Sequence, residues 1–311
     1  MTVENFRTCV IVNPNSSNGK TGQQWEALAA AMKERIGTFD HHFTSHSGEG
    51  ADLTREALAK GYEMIVSVGG DGTHNEVTNG FFDGLRPIAP EAVLAVVTSG
   101  TGGDLRRTLG LEKGPFAALD TLPGRATRPF DVGQFTYLAH SGETRMGYFI
   151  NILSFGIGGL VDEKVNKSSK ILGGKASFFV ATLRALAAFR QQKIALQLDD
   201  GPVEELAIHN VAISNGRSFG GGMFVAPDAE PDDGLFDVVS FVDMSTTQFA
   251  GLGSSIYKGR HLANPKVRFA RASTVVATSD DKVLLDVDGE QPGTLPLSVK
   301  NLRHHIKVKV A

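Results

Sequence analysis

Apolar and polar positions along this chain follow two rhythms. Up to Val97, short runs with no polar interruption alternate with stretches whose apolar residues recur at helical spacing. Thr8 to Val12, Glu63 to Val68 (EMIVSV) and Val93 to Val97 are the continuous runs, and Phe39 to Thr44 is a further strand. Thr21 to Arg35 places Trp25, Leu28, Ala29 and Met32 on one helical face, Ala51 to Lys60 predicts a second helix, and Thr73 to Gly80 starts a third. Strands apolar on both faces need helices on both sides, so this half predicts a doubly wound, Rossmann-like parallel sheet. Ligands of such sheets bind at the carboxyl ends of the strands.

After Arg128 the period shortens to two. Alternation marks Phe130 to Tyr137, Met146 to Leu153, Ile194 to Leu198, Glu205 to Ser214, Leu235 to Phe241, Lys266 to Ala272, Thr274 to Ala277 and Val283 to Val287. Turn residues separate these pieces, as in an antiparallel β-sandwich. One long helix is expected over Lys175 to Gln191 and a shorter one over Thr246 to Tyr257. The expected division is an α/β domain over residues 1–128, completed by 302–311, and a β-sandwich domain over 129–301.

The 311 residues, 41% hydrophobic and 21% charged, are enough to build cores without disulfides or structural metals. A net charge of −3 excludes a global basic field for nucleic acid. The first residues lack the pattern of a signal peptide, and no run of about 18 apolar residues occurs, so a cytoplasmic protein is expected. The lone Cys9 lies in an apolar run and reads as a buried, inert thiol. The 36 glycines matter more, because they cluster where strands end. Such clusters mark tight turns or close approaches of backbone to a ligand.

Three clusters carry candidate chemistry. Asn13-Pro14-Asn15-Ser16-Ser17-Asn18-Gly19-Lys20 joins a strand to a helix and can aim backbone N–H groups at an anion. It is not a Walker A loop, because Pro14 stands at the first glycine position. Gly69-Gly70-Asp71-Gly72-Thr73-His74-Asn75-Glu76 sets a carboxylate at a strand end beside a helix start, as phosphoryl transfer needs. Its plain alternative is a tight turn with Asp71 as a helix cap. Ser99-Gly100-Thr101-Gly102-Gly103-Asp104 repeats the design, and Arg106 and Arg107 could assist an anion or simply face water. His41, His42 and His46 fall on a strand and its loop, a poor frame for a metal.

These three loops, in this order, resemble those of the diacylglycerol kinase catalytic-domain family, which includes bacterial diacylglycerol kinases and the sphingosine and ceramide kinases. The resemblance continues through Phe130-Asp131-Val132-Gly133, Asn151 to Gly159, Pro227 to Asp237 (PDAEPDDGLFD) and Asp286-Val287-Asp288-Gly289-Glu290. It implies an ATP- and Mg²⁺-dependent kinase acting on a hydroxyl of diacylglycerol or a related lipid. By the same resemblance Asn13, Pro14, Asn15, Ser16, Ser17, Thr44, Gly70, Asp71, Gly72, Thr73, His74, Asn75, Glu76 and Thr101 line the nucleotide site. Glu290 is the general base, and Asp71 and Asp104 lie near the phosphates with Lys20 and Asp131 around them. Asp233, with carbonyl oxygens of Glu230 and Leu235, holds a structural Mg²⁺. The second domain binds the lipid, which the protein meets by transient contact with a membrane surface; a homodimer is left open.

Two departures stand out. Gly103 replaces the family's usual asparagine, and the first loop is longer than usual. Phe178, Phe179, Val180, Leu183, Leu186 and Phe189 crowd the long helix, chiefly as core. The other readings are a kinase for a sphingoid base or soluble acceptor, and a nucleotide-binding regulatory protein without catalysis. A dinucleotide-dependent dehydrogenase is disfavoured, since no G-x-G-x-x-G opens the first helix.

Overall fold

The computed structural model describes residues 5–100, 102–160 and 189–310. They form two compact units, Met1–Val132 with Arg303–Ala311, and Gly133–Leu302. Among the described residues no helix is long and apolar enough to cross a membrane.

In the first unit five strands run parallel. Their order is β2 (Asp40–Phe43), β1 (Thr8–Val12), β3 (Met64–Gly69), β6 (Val93–Thr98) and the last part of β16 (Gly293–Lys309). A two-residue ribbon, β4 (Phe82–Asp83) with β5 (Arg86–Pro87), lies between β3 and β6 in sequence. Helix α1 (Lys20–Ile36) packs Trp25, Leu28, Met32 and Ile36 against Val10, Val12, Val66 and Val68 on one sheet face. Alternation then turns Ser67 to the opposite face, where α3 (Asp71–Asn79) meets it through His74. Each fully buried Val, Leu or Ile contributes about 1.5–3 kcal/mol, which is why these runs become central strands. Cys9 is fully buried in β1, and burial pushes its thiol up to about 11, so it is inert.

The second unit is antiparallel. One path runs β13 (Val267–Ala272), β12 (Phe236–Val242), β11 (Glu204–Ser214), β10 (Gln192–Leu198), β14 (Thr274–Thr278) and β16. The far half of β11 also pairs with β9 (Ile152–Gly156), which pairs with β15 (Leu285–Val287). Strand β7 (Thr127–Ala139) pairs with β8 (Thr144–Phe149). Phe135, Phe149, Phe155, Ile208, Phe236, Leu285 and Leu297 belong to one core, and a second cluster gathers around Phe241, Met244 and Val225.

Three expectations change. Met146 to Leu153 is not one strand but β8 and β9, broken at Ile150 and Asn151. There the Asp288 carboxylate accepts the N–H groups of Ile150, Asn151 and Ile152, which a continuous strand would give to a neighbour. The helix expected over Thr246 to Tyr257 is two short ones, Thr246–Gly251 and Gly253–Tyr257. Of the helix expected over Lys175 to Gln191, residues 175–188 lie outside the described residues, with Phe178, Phe179, Val180, Leu183 and Leu186. Phe189, which is described, is not helical; it is buried, with its ring 5.6 Å from that of His209.

Strand β16 is pinned in the first unit by Lys309. Only 1% exposed, its ammonium donates to the carbonyls of Pro123, Gly124 and Ala126 at 3.0, 2.8 and 3.3 Å. Replacing Lys309 with Met keeps the stem and strands three carbonyls. The expected loss is about 2–3 kcal/mol, read from urea unfolding followed by the fluorescence of Trp25; an unchanged midpoint would show that these bonds hold nothing.

Candidate functional site

The first unit gathers its glycine loops at the carboxyl ends of its strands, and one helix ties them together. After β1, Asn13 donates its backbone N–H to Val68 O at 2.9 Å and its Nδ2 to Thr73 Oγ1 at 3.1 Å. Its Oδ1 accepts the N–H of Asn15 at 3.0 Å. After β6, Asp71 accepts the N–H groups of Gly103, Asp104 and Leu105 at 2.8, 3.1 and 3.3 Å. After β2, Glu76 accepts the N–H groups of Gly48 and Gly50 at 2.8 and 3.1 Å. Thr73, Asp71 and Glu76 all belong to α3, so each loop hangs from a side chain of that helix.

The carboxylates act where helices begin. Helix α2 (Glu49–Ala59) starts behind Gly48 and α4 (Asp104–Thr108) behind Gly103. Both glycines have positive φ, 88° and 65°, and no side chain to cap with. Glu76 and Asp71 supply the missing caps from α3. Asp71 is thus a cap, as its plain alternative held, but for α4 and not for its own helix. By contrast α1, behind Gly19, gives its first amides to loop carbonyls, Lys20, Thr21 and Gly22 to Ser17, Ser16 and Pro14 at 3.4, 3.5 and 3.0 Å, and no side-chain hydrogen bond caps α3, behind Gly70. In α3, whose first turn also holds Asp71, the N–H groups of Gly72 and Thr73 meet no acceptor among the described residues.

The approaches are close. A Cβ on Gly69 would collide with the Thr73 side chain, and one on Gly102 would lie 2.6 Å from Asp71 Oδ2. A Cβ on Gly100 would lie 3.2 Å from Gly70 Cα. A hydroxyl chain that sequence reading missed crosses the same region: Ser16 Oγ, Thr21 Oγ1 and Ser99 Oγ, spaced 2.5 and 2.7 Å apart. The residue types gave a hint, but nothing in their spacing pairs positions 21 and 99. Ser17 and Asn18 carry positive φ of 55° and 57° ahead of Gly19 at 82°, so three left-handed residues precede α1.

The remaining predicted residues separate by exposure. His74 is fully buried, with Nδ1 2.8 Å from Ser67 Oγ and Nε2 3.2 Å from Thr98 Oγ1, and presents nothing to a ligand. Burial pushes it down to about 3, so it is neutral. Asn75 takes a bond at its Oδ1 from Asn79 at 3.2 Å. Thr44 is buried, its N–H bonded to Val12 O at 2.8 Å. Pro14 accepts the Gly22 N–H at 3.0 Å. Asp104 pairs with Arg107 at 2.9 Å. Asp131 is buried and accepts the His304 N–H at 2.7 Å. Thr101 lies outside the described residues.

In the second unit Glu290 is exposed at the end of a two-residue hairpin. Val287 and Glu290 exchange both backbone bonds, at 2.8 and 2.9 Å, around Asp288 and Gly289 with φ of 50° and 90°. This is the Asp-Gly turn that matches strand twist. Asp288 is buried beneath it, committed to the 150–152 backbone. Asp286 accepts the Gly289 N–H at 3.0 Å and Ser154 Oγ at 3.2 Å, bracing the turn from the other side.

Of the residues expected to hold Mg²⁺, Asp233 has protein partners. Asp233 Oδ1 accepts the Leu235 N–H at 2.9 Å, and its Oδ2 pairs with Arg271. The same guanidinium reaches Asp237 at 3.2 Å. A cation of the protein's own therefore sits between these carboxylates. Burial, with the charges of Asp228 and Glu230, pushes Asp237 up to about 6.

Two outcomes are expected. Below pH 6.5 the unfolded chain protonates His74 while the native state refuses the proton until about pH 3, so stability falls with pH across that window. The slope is about 1.4 kcal/mol per pH unit, or about 2 kcal/mol between pH 6.5 and 5. Urea unfolding of the wild type and His74→Gln at both pH values should show the extra loss in the wild type only. For Arg271, EDTA and Mg²⁺ should leave the thermal midpoint unchanged, whereas Arg271→Ser should make the midpoint climb with Mg²⁺ by mass action.

Comparison with known proteins gives the same picture from both ends of the chain. The family model described as the diacylglycerol kinase catalytic domain matches residues 7–135. The model described as the YegS C-terminal NAD kinase beta sandwich-like domain matches residues 151–310. A diacylglycerol kinase of Bacillus subtilis is 27% identical over 304 residues, covering 97% of this chain and 95% of that protein. One from Staphylococcus carnosus is 26% identical over 303 residues, covering 97% and 94%. A crystal structure of a diacylglycerol kinase from Bacillus anthracis shares the fold, with a TM-score of 0.71 at 21% identity, covering 100% of this chain and 98% of that one. With one model on each unit and both in chain order, this protein belongs to the diacylglycerol kinase family of lipid kinases with a YegS-type C-terminal domain.

Proposed function

We propose that this protein transfers the γ-phosphoryl group of ATP to a hydroxyl of diacylglycerol or a related lipid. The observation that supports it best is the pattern of helix starts in the first unit. Those of α2 and α4 are blocked by Glu76 and Asp71, that of α1 is taken up by loop carbonyls, and in α3 the N–H groups of Gly72 and Thr73 meet no acceptor among the described residues. Open amides at the carboxyl edge of a parallel sheet suit a polyphosphate. Asn13 to Ser17, Thr44, Gly70 to Glu76 and Thr101 form the nucleotide site in this reading. Gly72 and Thr73 offer amides, Asn13 and Ser16 order the first loop, and Asp71 acts by holding the third loop. Mg²⁺ arrives as part of the ATP·Mg²⁺ substrate and neutralises its phosphates.

Glu290 is the general base. Its carboxylate takes the proton of the lipid hydroxyl as the new O–P bond forms. The bond from the γ-phosphorus to the β–γ bridging oxygen breaks, and ADP leaves. Glu290 is exposed on a turn whose backbone is braced by Asp286 and Asp288, which holds the residue in place as a base needs. The similarity to diacylglycerol kinases of Bacillus subtilis and Staphylococcus carnosus makes diacylglycerol the first acceptor to test. The lipid brings the protein to the cytoplasmic face of a membrane for each turnover.

Labelled phosphate transfer from ATP·Mg²⁺ to diacylglycerol, monoacylglycerol, phosphatidylglycerol and sphingosine in mixed micelles tests the reading. One lipid should be labelled, and Glu290→Gln should lower kcat about 10²–10⁴-fold while ATP affinity is kept. ATP binding without label in any lipid would point to a soluble acceptor or a regulatory protein. Absence of ATP binding would remove the basis of the proposal.

A further inference from the structure

We propose that Glu76 is a positioning residue for the nucleotide: it sets the loop Ser45 to Gly50 and does not touch the ligand. The inference rests on the reading that the first unit binds ATP. Both oxygens of Glu76 are already used. Oε1 accepts the Gly48 N–H at 2.8 Å and lies 3.3 Å from Ser47 Oγ, and Oε2 accepts the Gly50 N–H at 3.1 Å. The approach is tight enough to demand glycine, since a Cβ on Gly50 would lie 2.8 Å from Oε2. The loop cannot cap α2 fully by itself, because Gly48 is the residue at the cap position. Glu49 serves only the near side, where it accepts the N–H and hydroxyl of Ser45 at 2.5 and 2.7 Å.

The loop is thus pinned at two ends. Thr44 hangs its start on β1 through Val12 O at 2.8 Å, and Glu76 hangs its finish on α3. A carboxylate suits this task because it accepts two amides with two equivalent oxygens. Glutamine retains one acceptor and turns an N–H₂ toward the other amide, so it should half-restore the anchor. A residue that contacts ATP directly would show no link between ligand affinity and the order of this loop. The negative charge also keeps the start of α2 from competing with α3 for an anion.

The test pairs hydrogen exchange with kinetics in the full-length wild type, Glu76→Ala and Glu76→Gln. In Glu76→Ala, amide exchange over residues 44–51 should accelerate at least about tenfold, with the β3 and β6 peptides unchanged. The KM for ATP should climb about tenfold, with a smaller change in kcat. Glu76→Gln should fall between on both scales. A higher KM with exchange over 44–51 unchanged would make Glu76 a contact residue and overturn the proposal. Faster exchange with KM unchanged would overturn it too, since the loop would then be no part of the site. Isothermal titration of the wild type with ATP separates the underlying reading: no binding there sinks that reading together with this inference.

Discussion

A carboxylate accepting backbone N–H groups from a distant stretch of chain is the interaction on which this structure's candidate sites depend. Asp71 takes three amides of the loop after β6, Glu76 takes two of the loop after β2, and Asp288 takes three at the break between β8 and β9. Charge-assisted bonds of this kind are shorter and stronger than neutral ones, and a carboxylate has room for several. Glycine-rich loops lose much entropy on ordering and bring few side chains with which to offset it. Here the order is imposed from outside, by acids on a regular helix or a tight turn. The glycines and the carboxylates are therefore one device, each requiring the other.

This device also divides the helix starts into two classes. Every helix start is electropositive, so a sheet edge with four of them offers an anion four places to settle. Two already hold an internal anion. Of the other two, which follow the neighbouring central strands β1 and β3, α1 gives its first amides to loop carbonyls, and only α3 keeps the amides of Gly72 and Thr73 clear of an acceptor among the described residues. Discrimination among equivalent places is achieved by occupying the unwanted ones.

Much of this was legible in the chain, for reasons that can be named. The parallel sheet followed from Thr8–Val12, Met64–Gly69 and Val93–Thr98, whose apolar runs can only be buried on both faces. The glycine loops stood out because glycine in clusters has few other uses. Long-range commitments were hidden. Asp71 read as a cap or a ligand, but spacing could not reveal that it caps a helix starting at Asp104. The break at Ile150 arises from a carboxylate 138 residues later. His74 stood inside the strongest motif and is a buried latch between β3 and β6, because the helical turn after Asp71 carries it inward. The partner of Asp233 was hidden too: Arg271 lies 38 residues away in sequence and faces Asp237 across a strand pair.

The route of the chain has a consequence of its own. The first unit is assembled from two stretches, and its fifth parallel strand comes from residues made after the whole of the second unit. During synthesis β6 is therefore an outer strand, with its polar backbone edge bare and Val93 to Val97 apolar on both sides. A nascent chain in that condition has a sticky rim and no means of sealing it until Lys307 and Val308 arrive. Lys309, threading its ammonium into the carbonyls of Pro123, Gly124 and Ala126, then fastens that late strand in place. A chain cut after the first stretch would leave the first unit without its fifth strand, so that unit is not a segment that simple truncation can isolate.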